Sequence, residues 1–296
     1  MLPPFLKKND KVAIVSPSGC IDPLYIDEAV SCLQSWDLQP IVGQYAKEKN
    51  GRFAGTTVQR TADLQAALDD KEIKAILCSR GGYGVIQIID GLDFSYFELY
   101  PKWLIGFSDI TALHNVATAI DVASCHSSMV KLLAKYKEEN KELQLLKDLL
   151  FGELPQYVID MHPLNRKGKA KGILAGGNLS VLYSLRGTHY EIDTYGKILF
   201  LEDIGEKPYH IDRMMHNLKI GGLLEHLAGL VVGQFSDYEE DPLMGKSVYE
   251  LIADAVSEYD YPVCFDFPAG HVDVNSPLVL GAEVSFEVSE KVILKY

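Results

Sequence analysis

A chain of 296 residues with 47% hydrophobic side chains is long enough to bury one large core or two of ordinary size. With 41 acidic against 28 basic residues its formal charge is −13. That balance argues against nucleic acid and anionic membrane as partners, because phosphate binding needs clustered Lys and Arg.

The N-terminal half alternates between two periodicities. "KVAIVSPS" reads as a buried strand, and "DEAVSCLQSW" places Ala29, Val30, Leu33 and Trp36 at helical spacing. "QPIVG" reads as a short strand. "TVQRTADLQAALDD" reads as a helix capped by Thr57, with Leu64, Ala67 and Leu68 on one face. "AILCS" is a strand and "VIQIIDGL" a short helix; "WLIGF" is a strand and "ITALHNVATAI" a helix. "VASC" is a further strand, followed by one long charged helix, "VKLLAKYKEENKELQLLKDLL". Short unbroken apolar strands between helices predict a parallel sheet covered on both faces, with sites at the carboxyl ends of its strands.

The rhythm breaks over 151–171, where "GELPQ" and "HPLNRKGKAKG" read as a linker, with "KGKAKG" a solvated charge run. Beyond it, "ILFLED" and "LAGLVVGQF" read as strands, and "YHIDRMMHNLKIGGLL" and "KSVYELIADAVSEY" as helices. "PLVLGAEVSFEVSEKVILKY" reads as strand pairs. The fold class is α/β: an N-terminal parallel-sheet domain over 1–150, then the linker, then a smaller β-rich α+β domain over 172–296.

Other signals are negative. No run of about 20 apolar residues predicts a membrane span, and "VAIV" is too short for the core of a signal peptide. The five cysteines are scattered without CxxC spacing, as in a reducing cytoplasm. No HExxH occurs, and no metal or other cofactor is expected.

Four segments carry candidate chemistry. In "GFSDI", Ser108 stands where a buried strand meets a helix. There a hydroxyl either caps the helix or is presented as a nucleophile beside the next residue's amide. The segment is not GxSxG, since Ile110 occupies the second glycine position. "CSRGGYG" follows a strand, and its backbone N–H groups can converge on an anion, or the turn can be purely structural. Glu202 ends the strand "ILFLED", and His271 lies in the loop "AGHVDVN". Serine, glutamate and histidine could supply a nucleophile, an orienting carboxylate and a base, but order alone does not establish a triad.

"AILCSRGGYG", "GFSDITALHN", "GGNLSVL", "LFLEDIGEKPYHIDRMMHNL" and "AGHVDVNSPLVLGAEV" together resemble the LD-carboxypeptidases, serine peptidase family S66, which also contains the microcin C self-immunity proteins. The likeness runs from Lys11 nearly to the C-terminus. It implies a triad of Ser108, Glu202 and His271, with an oxyanion hole from the backbone of Asp109 and of Gly81 or Gly82. It implies a cytoplasmic homodimer that needs no metal and releases the terminal D-alanine from murein tetrapeptides. The immunity-type alternative cleaves an amide joining an aminoacyl or peptidyl group to a nucleotide-like moiety. A third reading is a catalytically silent module that binds a small molecule. Arg80, directly before the glycines, is the candidate clamp for a substrate carboxylate. His126, in "CHSSM", is a second substrate-binding candidate, where similar sequences carry His-Gly-Pro.

Overall fold

The computed structural model describes residues 1–135 and 140–296. It divides into two compact units: Met1–Leu154 with Pro277–Gly281, and Pro155–Ser276 with Ala282–Tyr296.

The first unit begins with β1 (Lys11–Val15), α1 (Pro23–Ser35), β2 (Gln39–Val42), α2 (Thr57–Asp69), β3 (Ile73–Cys78), α3 (Ser95–Leu99) and β4 (Trp103–Gly106). It continues through α4 (Thr111–Ala119), β5 (Ser124–His126), α5 (Val130–Lys135) and α6 (Lys141–Leu150). The second unit contributes β6 (Gln156–Ile159), β7 (Gly168–Asn178), α7 (Leu179–Ser184), β8 (Ile198–Ile204), α8 (Pro208–Ile220), β9 (Gly229–Ser236), α9 (Val248–Ala255) and β10 (Val263–Cys264). Then β11 (Leu278–Leu280) returns to the first unit, and β12 (Glu283–Val288) and β13 (Val292–Lys295) complete the second.

Among the described residues the first sheet has the order β11-β5-β4-β3-β1-β2. Its strands β1 to β5 pair in parallel, and only β11 runs antiparallel, against β5. Every residue of β4 and β5 is buried, as expected for strands covered on both faces. The second sheet has the order β10-β9-β8-β7-β12-β13-β6. Its half from β10 to β7 is parallel, and the remainder is antiparallel. The alternation of "EVSFEV" appears as alternating exposed and buried positions along β12.

Several elements depart from the sequence reading. The cap of α2 is Thr56, not Thr57: its hydroxyl accepts from the Gln59 N–H, and the Gln59 side chain accepts from the Thr56 N–H. The "VIQIIDGL" segment is two single 3₁₀ turns, Val85–Gln87 and Ile89–Gly91. The predicted long helix spans 136–139, which lie outside the described residues. Beyond them α6 starts afresh, since Asn140 is extended (φ −87°, ψ 124°) and its side chain accepts from the Leu143 N–H.

The predicted linker carries β6 and the start of β7. Lys169 and Lys171 of the "KGKAKG" run pair with Glu287 and Glu283 on β12, at 3.0 and 2.6 Å. These cross-strand partners lie more than a hundred residues away in sequence, which is why the run looks like solvated coil. "PLVLG" also changes place, because β11 joins the first sheet instead of the C-terminal strand pairs.

One buried cation fastens the first unit. Lys102 is 1% exposed, and its ammonium donates to the carbonyls of Ala67, Leu68 and Asp70 at the end of α2, at 3.0, 2.8 and 2.7 Å. These are C-terminal carbonyls that the helix itself leaves without donors. Burial pushes the Lys102 pKa down to about 8, with Asp70 pulling the other way. Lys102→Met should therefore cost about 2–3 kcal/mol at pH 7 in denaturant unfolding. The unfolded chain sheds this proton near 10.5 and the native protein near 8. The wild-type advantage over the variant should grow as pH rises between those values. A flat or opposite slope would contradict this account.

Candidate active site

In the first unit, β4 delivers its chain to Phe107, which is extended, and then to Ser108 at φ +64°. Left-handed backbone is unusual for serine and costs on the order of 1 kcal/mol. Residues 108–110 form a 3₁₀ turn that runs into α4. Neither the turn nor α4 has a side-chain cap. The Ser108 hydroxyl therefore makes no cap here, and the strained strand-to-helix turn needs another reason.

The glycine turn after β3 stands against this serine. A Cβ added at Gly81 would lie 2.7 Å from the Ser108 Cβ and 3.0 Å from its Oγ, so only glycine lets the two backbones approach. Gly82 sits at φ +109°, a conformation that L side chains rarely adopt. Asp109 is at the start of the helical segment, where backbone N–H groups lack intrahelical acceptors. Its carboxylate is buried and accepts from the Val85 N–H at 2.9 Å and from the Ser18 hydroxyl.

Arg80 is exposed and donates from Nη1 to the Cys20 carbonyl at 2.9 Å. His126 is fully buried, its ring edge-on to Phe107 at 5.7 Å. His114 behind it bonds Ser124 Oγ and the Gly106 carbonyl, and burial lowers its pKa to about 4, so it is neutral.

In the second unit, every residue of β8 from Ile198 to Asp203 is buried. Its register against β9 shifts between Leu201 and Asp203, and the strand ends in two adjacent carboxylates, Glu202 and Asp203, at 0% and 2% exposure. Glu202 Oε2 lies 2.7 Å from His271 Nδ1. The loop that carries His271 is held in place: the Gly270 N–H donates to Asn275 Oδ1 at 2.9 Å, and the Ser236 hydroxyl donates to the His271 carbonyl at 3.0 Å. Gly270 has φ +136°, and a Cβ there would stand 3.1 Å from the Glu202 Cβ.

Burial depresses the His271 pKa, but the hydrogen bond and charge of Glu202, with Asp203 and Asp237 behind it, more than offset this and leave the group above its ordinary value. Burial and the adjacent Glu202 charge push Asp203 up to about 7. Hydrogen bonds from the Ile204 and Ser180 N–H groups and from the Asn178 amide work against that rise. With Nδ1–H donated to Glu202, a neutral His271 carries its basic lone pair on Nε2.

The structure thus gathers Ser108, Asp109 and Gly81 in one unit, and Glu202 with His271 in the other. Sequence reasoning missed the carboxylate roles of Asp109 and Asp203 and the amide of Asn275. Each stands next to or near another polar residue, so polarity alone did not single it out. Among the described residues no group of three or more His, Cys, Asp or Glu is placed to hold a metal, and no helix is long and apolar enough to cross a membrane.

Comparison with known proteins gives two consecutive family matches. Residues 12–127 match the LD-carboxypeptidase N-terminal domain, and residues 171–286 match the LD-carboxypeptidase C-terminal domain. A probable murein peptide carboxypeptidase of Bacillus subtilis is 36% identical, over 98% of this chain and 92% of its own. The chain belongs to the LD-carboxypeptidase family.

Its fold is likewise that of a muramoyltetrapeptide carboxypeptidase from Oxalobacter formigenes, with TM-score 0.88, 25% identity, and 96% of this chain and 97% of the other covered. The microcin C7 self immunity protein MccF, solved in complex with aspartyl sulfamoyl adenosine, shares the fold at TM-score 0.87 and 18% identity, over 100% of this chain and 98% of its own.

The Ser108 geometry makes a stability prediction. Ser108→Ala should leave the unfolding free energy within about 0.5 kcal/mol, because no cap is lost. Ser108→Gly should raise it by about 0.5–1 kcal/mol, because glycine relieves the left-handed strain. A loss of about 1 kcal/mol in the alanine variant would restore the capping explanation.

Proposed function

We propose that this protein is a serine LD-carboxypeptidase that releases the terminal D-alanine from murein tetrapeptides. The observation that carries the reading is the 2.7 Å pair between His271 and the fully buried Glu202. It occurs in a family member whose relatives are named murein peptide carboxypeptidases. A buried carboxylate on Nδ1 fixes the tautomer in which Nε2 is a base, and it stabilises the imidazolium formed during turnover.

In this mechanism Ser108 Oγ attacks the carbonyl of the amide that joins the third residue to D-alanine, and His271 Nε2 takes the hydroxyl proton. The amides of Asp109 and of Gly81 or Gly82 receive the oxyanion. As the intermediate collapses, His271 returns the proton to the leaving amine of D-alanine. Water, deprotonated by the same imidazole, then hydrolyses the tripeptidyl ester and regenerates the serine. Arg80 is the proposed clamp for the D-alanine carboxylate. In a protein of charge −13 an anionic substrate end needs a local cation, and among the described residues no carboxylate pairs with Arg80. His126 is not carried into the proposal, because its complete burial suits a packing role. The working assembly is proposed to be a cytoplasmic homodimer.

The immunity-type alternative needs an aromatic or apolar platform for a base. The two tryptophans do not supply one: Trp36 is 7% exposed and Trp103 is fully buried.

The test offers the purified protein a murein tetrapeptide and an aminoacyl-nucleotide analogue, with products read by mass. D-alanine release from the tetrapeptide is expected, and Ser108→Ala should slow it by at least about 10⁴-fold. Arg80→Ala should narrow the preference for the free-acid tetrapeptide over its C-terminal amide. Cleavage of the nucleotide analogue alone would favour the immunity-type reading. Full activity in Ser108→Ala would overturn the serine mechanism.

A further inference from the structure

Arg60 is a cation on the buried face of α2, where helical spacing with Leu64 and Ala67 calls for an apolar side chain, and it is 2% exposed. Its Nη1 donates to the carbonyls of Pro17 and Gly84, both at 2.8 Å, and its Nη2 donates to Gln87 Oε1 at 2.7 Å. The guanidinium lies 4.9 Å from the centre of the Phe53 ring. Burial lowers its pKa, and the Asp109 charge offsets part of that. A buried charge is expensive, and filling this space needs none.

What the charge achieves is a matched grip on two loops. Arg60 holds residues 17 and 84 by their carbonyls. Asp109 holds residues 18 and 85 by a hydroxyl and an N–H. Just ahead of residues 84 and 85 in the same turn lie Gly81 and Gly82, and the Gly81 carbonyl accepts from the Gly19 N–H at 3.2 Å. The other side of Gly81 faces Ser108.

We propose that Arg60 is a positioning residue for acyl transfer: by anchoring Pro17 and Gly84 it fixes the 80–84 turn so that the Gly81 and Gly82 amides stay aimed at an oxyanion formed on Ser108. The proposal rests on the reading of Ser108 as the nucleophile. Arg60 touches no reacting atom. It differs from a mere core residue in that its loss should impair the transition state more than substrate binding.

The experiment compares wild type, Ser108→Ala, Arg60→Lys and Arg60→Met in D-alanine release from a murein tetrapeptide, with amide hydrogen exchange of residues 81–85 measured alongside. Arg60→Met fills the volume but donates nothing. It should lower kcat by about 10²-fold, the scale of one lost oxyanion donor. KM should stay within about threefold, and the 81–85 amides should exchange faster. Arg60→Lys can serve both carbonyls but lacks the planar fork, so it should fall between the two. Should Arg60→Met not fold, Arg60→Lys decides: a lower kcat at constant KM supports the proposal, and unchanged kcat overturns it. Wild-type release that depends on Ser108, together with unchanged kcat or a purely raised KM in Arg60→Met, overturns the proposal and leaves the serine reading standing. A wild type without Ser108-dependent release overturns both.

Discussion

The contact between His271 and Glu202 is the constraint on which the second unit is built. A carboxylate with no solvent exposure costs several kcal/mol unless something compensates its charge, and here the compensation is one imidazole nitrogen at 2.7 Å. Everything around the pair serves to keep it. The strand β8, buried from Ile198 to Asp203, carries Glu202 near its end, where its register against β9 shifts and two carboxylates follow one another. Gly270 permits the close approach of the histidine loop, and Asn275 and Ser236 fasten that loop's backbone. Asp203 adds a second buried acid that raises the affinity of His271 for its proton. A sheet selected for stability alone would place apolar residues here.

The same economy of means appears in the first unit. Parallel strands end at one edge, and their following turns carry the polar groups: β1 leads to Ser18, β3 to the glycine turn, and β4 to Ser108. Ser108 has left-handed backbone, and the buried side chains of Arg60 and Asp109 bond the loops around residues 17–18 and 84–85 beside it. The left-handed serine is thus held by its surroundings and is not a local preference of the chain. In each unit polar groups gather where buried strands end, with glycines where backbone must come close.

How much of this was legible in the sequence follows from the range of the interactions. Apolar runs such as "AILC" and "WLIG" announce buried parallel strands because burial on both faces leaves no room for alternation. Ser108, Gly81 and Glu202 stand out for a related reason, since each is a polar or glycine residue at or just after the end of such a run, whereas His271 lies in a loop. What could not be read depends on partners distant in the chain. "KGKAKG" is a strand through its backbone pairing with β12, and "PLVLG" pairs with β5 about 150 residues earlier. The role of Arg60 has no sequence signature, because two of its acceptors are backbone carbonyls of other loops, which no side-chain pattern reveals. The one-residue error at Thr56 has a local cause, as two consecutive threonines offer the same hydroxyl and the capping box with Gln59 selects the first.

The central proposal is that the buried Glu202 charge raises the proton affinity of His271 and so suits it to act as a base. Nitrogen-15 labelling of the histidines, with an NMR titration of His271 in wild type and in Glu202→Gln, tests it directly. The account predicts a wild-type midpoint above the ordinary 6.5 and a lower midpoint in the variant, where the hydrogen bond to a carboxylate and the charge of Glu202 are lost. The same midpoint in both proteins, or a wild-type value already below 6.5, would contradict it.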